Sequence, residues 1–320
     1  MPDSAAIRPK IAVSACLMGA EVRFNGGHKQ SQLCSRLLAE HFDFVPVCPE
    51  VAIGLGIPRE PIRLVGNPEH PEVVGTVTQD LNVTRPLVDY ARQMAAELDD
   101  ICGYIFMQKS PSCGLERVKV YDHNGASQRG GGRGVYAQAF CELHPDLPVE
   151  EEGRLNDPVL RENFLTRVFA YAAWQALRRK GLTRRDLIAF HSRYKYLLMA
   201  HNPVQYKVLG NLLGNMGKTD PNELGPRYFS ALMAALKKCA TRRTHTNVLQ
   251  HLSGYLKRAI DAEDKQEVQH LIAQYRLGIV PLVVPLTLLK HHLRLHPDPY
   301  LAQQVYLQPH PENLSLRNAI

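Results

Sequence analysis

No run of about 18 consecutive apolar residues occurs in the 320-residue chain, so no membrane-spanning helix is expected. The opening MPDSAAIRPKIAVSACL lacks a charged stretch, a long apolar stretch and a cleavage site in that order. It does not read as a secretory leader, and a cytoplasmic protein is expected. There is no CxxC pair among the seven cysteines, which disfavours a zinc ribbon. Their odd number in a long chain argues against a disulfide framework. No internal repeat and no low-complexity stretch is present, and the one dense glycine run, GGGRG at 130–134, lacks a Walker lysine.

What is present divides into two textures. Residues 1–153 carry a net charge of −6 and residues 154–320 a net charge of +13. Such asymmetry suggests that the basic half meets a polyanion. In the first half, KIAVSAC, FDFVPVC and ICGYIFMQ read as short buried strands. SQLCSRLLAEH and RPLVDYARQMAAELD read as helices between them, the second with Leu87, Ala91, Met94 and Leu98 on one side. Strands alternating with helices predict an α/β domain with a mostly parallel sheet over residues 1–150. The proline-rich, acidic stretch at 141–158 is read as the domain boundary. Helix patterns at 158–179, 183–200, 203–214, 225–239, 243–260 and 264–277 predict an all-α domain over 151–320. Thr183 and Asp186 are spaced as a near capping box at the second of these. Six prolines from Pro281 onward predict a tail of helix fragments and extended segments over the surface.

Three cysteines fall where chemistry is expected. Cys16 ends the first strand, Cys48 ends the second, and Cys113 lies in KSPSCG just past the third. In open α/β sheets ligands bind beyond the carboxyl ends of the strands, so these thiols are expected to gather at one rim. Thiolates ligate iron–sulfur clusters, usually four to a 4Fe–4S cube. Three ligands would leave one iron open to water or substrate, as suits a Lewis acid better than an electron carrier. Free cysteines are also common core residues; Cys34, Cys102, Cys141 and Cys239 are read that way.

The segments SACLMGAEVRFNGGHK, PVCPEVAIGLGIPREPIRLV and KSPSCG, in that order, resemble the thiouracil desulfidase family over about residues 8–150. The resemblance implies an α/β fold, a 4Fe–4S cluster held by Cys16, Cys48 and Cys113, and replacement of a thiocarbonyl sulfur by oxygen. FHSRYKYLLMAHN, THTNVLQHLSGYLKR and YRLGIVPLVVPLTLLKHH resemble a helical domain often fused to it. The combination resembles bacterial tRNA 4-thiouridine desulfidases, which implies tRNA as partner and neither a membrane nor an obligate protein partner. One departure is Asn25 in FNGG, where family members commonly carry Asp, so no carboxylate acts there.

The reaction so implied needs a water to attack and protons to move. Glu50, two residues past Cys48, is the first candidate for general base; it also fits a helix N-terminal charge. Ser110 and Ser112 are candidates for holding the pyrimidine or the water, or for turn formation alone. Arg23, Asn25 and Gly26 are placed as pocket residues, Lys109 and Arg59 as phosphate contacts; Arg63 and GGGRG are further phosphate candidates, with surface ion pairs and a flexible turn as the plain alternatives. In the basic half, Arg184, Arg185, Arg193, Lys195, Lys237, Lys238, Arg242, Arg243, Lys257 and Arg258 are the expected tRNA contacts. Tyr194, Tyr196, Tyr206 and Tyr255 are interleaved as possible stacking partners. His291, His292 and His296 are read as surface or RNA-facing rather than metal-binding. Two other readings stay open: a desulfidase of free thiouracil or thiouridine, and a non-catalytic RNA-binding protein with structural or redox-active cysteines.

Overall fold

Four short, apolar strands form the centre of the first half. The computed structural model describes residues 8–78, 80–314, 316–318 and 320; the first seven residues, part of the segment read above for a leader, lie outside them. The chain divides into two compact units, 1–156 and 157–320. In the first, β1 (Lys10–Ser14), β2 (Asp43–Val47), β5 (Gly103–Phe106) and β7 (Val149–Glu151) form a parallel sheet in the order β2-β1-β5-β7. Ile11, Ala12 and Val13 of β1 are wholly buried, as the near-continuous apolar run of a central parallel strand requires. Between β2 and β5 come α1 (Pro49–Ala52), the hairpin of β3 (Ile62–Asn67) and β4 (His70–Gly75), and α2 (Thr84–Glu97). The hairpin joins β6 (Val120–Tyr121) in a second sheet, ordered β4-β3-β6, that periodicity did not reveal. On α2, Leu87, Ala91 and Met94 are buried and Leu98 follows them inside. SQLCSRLLAEH forms a π-helical turn, Leu33–Leu37, and a 3-10 turn rather than an α-helix. The helix α3 (Val135–Leu143) precedes β7.

The acidic run at 150–152 is not a linker. It is the fourth strand and its exit, and its three carboxylates are buried. Each has a partner: Glu150 meets Arg154 at 2.7 Å, Glu151 accepts the Leu115 and Glu116 N–H groups, and Glu152 accepts that of Gln108. Buried charge persists only where it is paired or hydrogen-bonded in this way.

The second unit is helical: α4 (Pro158–Arg178), α5 (Arg184–His201), α6 (Pro203–Gly214), α7 (Pro221–Lys237), α8 (Arg242–Tyr255), α9 (Ala262–Leu277) and α10 (Val283–Leu295). Thr183 and Asp186 close a full capping box at α5, and Asp157 caps α4 by accepting from Val159 and Leu160. The tail is not a surface strap. Pro285 sits in the first turn of α10, where a missing N–H costs nothing, and Leu286, Leu289 and His292 face inward. Further on, Leu301, Tyr306, Leu314, Leu316 and Arg317 are buried as well.

The tail also closes a buried polar knot. The Arg317 guanidinium lies 3.3 Å from the Glu162 carboxylate and donates to the Tyr306 carbonyl at 2.6 Å. His245 Nδ1 lies 2.9 Å from the Tyr306 hydroxyl, and His201 Nδ1 donates to the Lys238 carbonyl at 2.7 Å. Burial, and then the Arg317 charge, push His245 down to about 3; burial pushes His201 down too. Burial alone would raise Glu162, but His310 and Arg317 outweigh it and hold the carboxyl below its usual range.

Rings kept neutral by the fold stabilise it above the unfolded histidine value, and that stability drains away as pH falls toward the folded value. Lowering the pH from 7 to 5 is expected to cost about 2 kcal/mol through His245 alone, with His201 adding to it. Urea unfolding followed by circular dichroism at 222 nm checks this; equal stability at the two pH values contradicts it.

Candidate functional site

The three strand ends β1, β2 and β5 are neighbours, and each is followed by a cysteine. Cys16 is the second residue of a 3-10 turn, Ala15–Met18, directly after β1. Cys48 is the N-cap residue of α1, with Pro49 in its first turn. Cys113 sits in a tight loop where Ser110 Oγ accepts the N–H groups of Ser112 and Cys113 at 3.2 and 3.1 Å. All three are free thiols; Cys16 and Cys113 are buried and Cys48 is half-buried. Cys16 feels Cys48, and Cys113 feels both. Burial, and then the Cys48 charge, push Cys16 up to about 11, while the nearby Arg23 charge opposes this. Burial raises Cys113 well above an ordinary thiol, helped by Glu50, Cys48 and Cys16. Cys48 is raised by burial too, against N–H donation from Val51 and Glu50. Among the described residues, no three His, Cys, Asp or Glu side chains form a group that could hold a metal ion. Cys16 and Cys113 both lie within electrostatic reach of Cys48. Three soft sulfurs on loops that leave neighbouring strands are the donor type that an iron–sulfur centre takes.

Beside the thiols lies a buried ionic hub. Glu50 Oε2 accepts both the Nε and Nη2 hydrogens of Arg59, at 3.1 and 2.6 Å. Its other oxygen, Oε1, accepts the Ser112 hydroxyl at 2.7 Å and lies 3.5 Å from that of Ser110. Ser112 is wholly buried and the Arg59 side chain only 5% exposed. Arg59 also donates to the carbonyls of Val22 and Gly56, each at 3.0 Å. Its guanidinium is therefore spent inside the protein and does not present itself to a substrate phosphate, contrary to expectation. Arg63 likewise rests over the Tyr121 ring, 5.5 Å from its centre. Arg23 lies half-buried over Phe24, within electrostatic reach of Cys16. Asn25 is exposed and its Oδ1 accepts the Gly27 N–H at 3.2 Å, with Gly26 in the left-handed turn between them. Lys109 is exposed and holds a positive φ of 60°, an unusual conformation for a side-chain-bearing residue.

The glycine run does not cradle an anion. Gly132, Gly134 and Val135 donate their N–H groups to the carbonyls of Val118, Gly114 and Pro111 at 2.7, 2.7 and 3.1 Å. The run is a brace for the Cys113 loop. A Cβ at Gly134 would meet the Ser112 carbonyl at 2.5 Å, which only glycine avoids. Two positions escaped sequence reasoning. Ser14, the last residue of β1, accepts the Met107 N–H at 2.9 Å and hydrogen-bonds the Cys113 thiol. Glu151 fixes the far side of the Cys113 loop through Leu115 and Glu116. A buried serine two residues before a ligand-type cysteine was the available signal for the first; the second had none.

Residues 11–152 match the family model described as 2-thiouracil desulfurase, and residues 195–311 match one described as a protein of unknown function, DUF1722. The chain is 35% identical to the uncharacterised Escherichia coli (strain K12) protein YbgA, covering 49% of this chain and 94% of that one. It is 31% identical to the uncharacterised Bacillus subtilis (strain 168) protein YbbK, covering 46% and 98%. The chain belongs to the 2-thiouracil desulfurase family. A solved structure, the [4Fe-4S]-dependent thiouracil desulfidase TudS, is 31% identical over 47% of this chain and 95% of its own, with a TM-score of 0.37.

In the basic unit of this family member, Arg184, Arg185, Arg193, Lys237, Lys238, Arg243, Lys257 and Arg258 are exposed. Arg242 donates to the Tyr275 carbonyl at 3.2 Å, and Lys195 is half-buried. Tyr194 and Tyr196 are core residues, 2% and 1% exposed, and are not available for stacking. Tyr206 is half-buried against His191, whereas Tyr255 is 43% exposed. His292 is buried rather than outward-facing. No helix among the described residues is long and apolar enough to cross a membrane.

Two substitutions test this geometry. Arg59→Ala strands a mostly buried carboxylate and is expected to destabilise the first unit by about 3–5 kcal/mol in urea unfolding; an Arg59 that served a substrate would leave stability unchanged. Gly134→Ala is expected to cost about 3 kcal/mol by overpacking against Ser112. Gly214→Ala, whose Cβ meets nothing within 4 Å, serves as the control and should be near neutral.

Proposed function

We propose that this protein is an iron–sulfur-dependent desulfidase that converts 4-thiouridine in tRNA to uridine, releasing the sulfur as sulfide. The observation that carries the proposal is the convergence of three thiols from adjacent strand ends beside the Glu50–Ser112 pair. Membership of the 2-thiouracil desulfurase family supports the chemistry, and the net charge of +13 over residues 154–320 supports a polyanionic substrate.

Cys16, Cys48 and Cys113 would hold a 4Fe–4S cluster. The fit rests on their donor chemistry: three soft sulfurs on loops from neighbouring strand ends, with N–H donors on Cys48 and the Ser14 hydroxyl on Cys113 to stabilise thiolate charge. When bound, such a cluster supplies an open iron as a soft Lewis acid for a thiocarbonyl sulfur. The chain's own groups handle water and protons. Glu50 Oε1 accepts the Ser112 hydroxyl, while Arg59 holds the other oxygen of the carboxylate fixed. It is placed to take a proton from an attacking water, directly or through the Ser112 hydroxyl. Overall, C=S and water give C=O and hydrogen sulfide, with no net electron transfer. Arg23, Asn25, Gly26 and Lys109 lie on loops next to the cysteines and are the proposed pyrimidine and phosphate contacts.

A second reading, action on a free thiopyrimidine, is favoured by the family's own description. Anaerobic reconstitution followed by nucleoside analysis of thiolated tRNA separates the two. Loss of 4-thiouridine with matching gain of uridine is expected. Unchanged tRNA alongside desulfuration of free thiouracil assigns the second reading, and a colourless protein without iron or labile sulfide sinks the cluster. Glu50→Gln, which keeps the shape but not the base, is expected to lower turnover by 10²–10⁴ while retaining iron.

A further inference from the structure

The helical unit displays one tyrosine that its fold holds outward. Tyr255 is the last residue of α8, and the 3-10 turn that follows, Leu256–Arg258, sends Leu256 into the core. Tyr255, Lys257 and Arg258 are left in solvent. Tyr255 itself is 43% exposed.

The ring is fixed rather than loose. It stacks on Tyr300, with centres 6.0 Å apart and planes 23° apart. Its hydroxyl meets that of Tyr196 at 3.2 Å, and Tyr196 is itself buried. Tyr300 is held in turn: the Asp298 carboxylate accepts the N–H groups of Tyr300 and Leu301 at 2.9 and 2.8 Å. The Lys195 ammonium lies over the Tyr196 and Tyr300 rings, 5.0 and 5.7 Å from their centres. A held and partly exposed aromatic surface thus has Lys195 over its inner rings and exposed Lys257 and Arg258 in the turn directly after Tyr255.

We infer that Tyr255, backed by Tyr300, is a stacking platform for one unpaired nucleobase of a bound RNA, with Lys195, Lys257 and Arg258 taking the flanking phosphates. This rests on the RNA reading proposed above and adds to it a defined subsite. A base presents a π-face to the ring and a charge on either side of it, which is the pattern of this patch. A folded RNA has unpaired bases to offer only at loops, bulges and ends, so the platform would select shape rather than sequence. An acidic protein segment would use the cations but leave the ring without a matched partner.

The test uses the full-length protein, a fluorescein-labelled tRNA transcript and fluorescence anisotropy across a salt series. Tyr255→Ala is expected to weaken binding about tenfold without changing the slope of log affinity against log salt, because stacking releases no counterions. Tyr255→Phe keeps the ring and should stay within about twofold of wild type. Lys257→Glu with Arg258→Glu should reduce the salt slope by about two. Circular dichroism melts of each variant establish that the fold is retained. Wild-type affinity in Tyr255→Ala overturns the platform while leaving the RNA reading intact. Equal losses in the Ala and Phe variants overturn stacking and assign the effect to the hydroxyl contact with Tyr196. Failure of the wild-type protein to bind tRNA overturns the RNA reading and the platform with it. Polyglutamate bound with the same dependence on Tyr255 would reassign the patch to a protein partner.

Discussion

The carboxylate of Glu50 is asked to do two things at once, and the surrounding loops are arranged to let it. One oxygen is pinned by Arg59, whose guanidinium has almost no contact with water. The other faces Ser112 and the cysteines. Removing two charges from water costs several kcal/mol per ion, and only tight geometry with further hydrogen bonds offsets it. Arg59 meets that condition by tying in three loops. It bonds the Val22 carbonyl past Cys16, the carboxylate past Cys48, and, through Glu50, the Ser112 hydroxyl beside Cys113. One ion pair that contains none of the thiols therefore ties together the three loops that carry them.

The parallel sheet explains why those loops meet. In the order β2-β1-β5, the three cysteine-bearing loops leave adjacent strands at the same edge. No sequence motif with close spacing is needed, because the sheet replaces it: thiols 32 and 65 residues apart become neighbours. The Cys113 loop departs furthest from its strand and needs the most support. Ser110 turns it, Glu151 holds its outer side, and the 130–134 glycines lie against its backbone.

Much of this was legible from residues alone, and what was not has particular causes. The core strands and nearly every helix of the basic unit follow from apolar spacing, which reports burial directly. Arg59 misled because a sequence shows a charge but not whether it is spent; its partner, nine residues away, has no helical or strand relation to it. The acidic run 150–152 misled because burial of paired carboxylates runs against their composition. The proline count of the tail obscured α10, since a proline in the first turn is tolerated while one in the middle is not. Tyr194 and Tyr196 were judged by the lysines and arginines around them. Yet Leu187, Phe190 and Tyr194 follow helical spacing onto the buried face of α5, and that spacing was the better guide.

The charge distribution bears on which substrate the site serves. Residues 1–153 are net negative, so the cysteine-bearing half offers a polyanion no net attraction and is indifferent to a neutral thiopyrimidine. If a free base were the substrate, the excess of basic residues beyond 154 would have no bearing on its capture. If the thiocarbonyl belongs to a tRNA, that excess supplies what the net-negative half lacks, because the polyanion has to be held before a base can reach the thiols. Screening reaches only about 8 Å at physiological salt, so attraction has to come from residues in contact with the phosphates rather than from net charge at a distance. Arg184, Arg185, Lys237, Lys238 and Arg243 are exposed and could make such contacts, whereas Arg59 and Arg63, which sequence reasoning favoured, are committed to Glu50 and to the Tyr121 ring. The polyanion reading thus rests on the excess of exposed cations in the helical unit rather than on those two arginines.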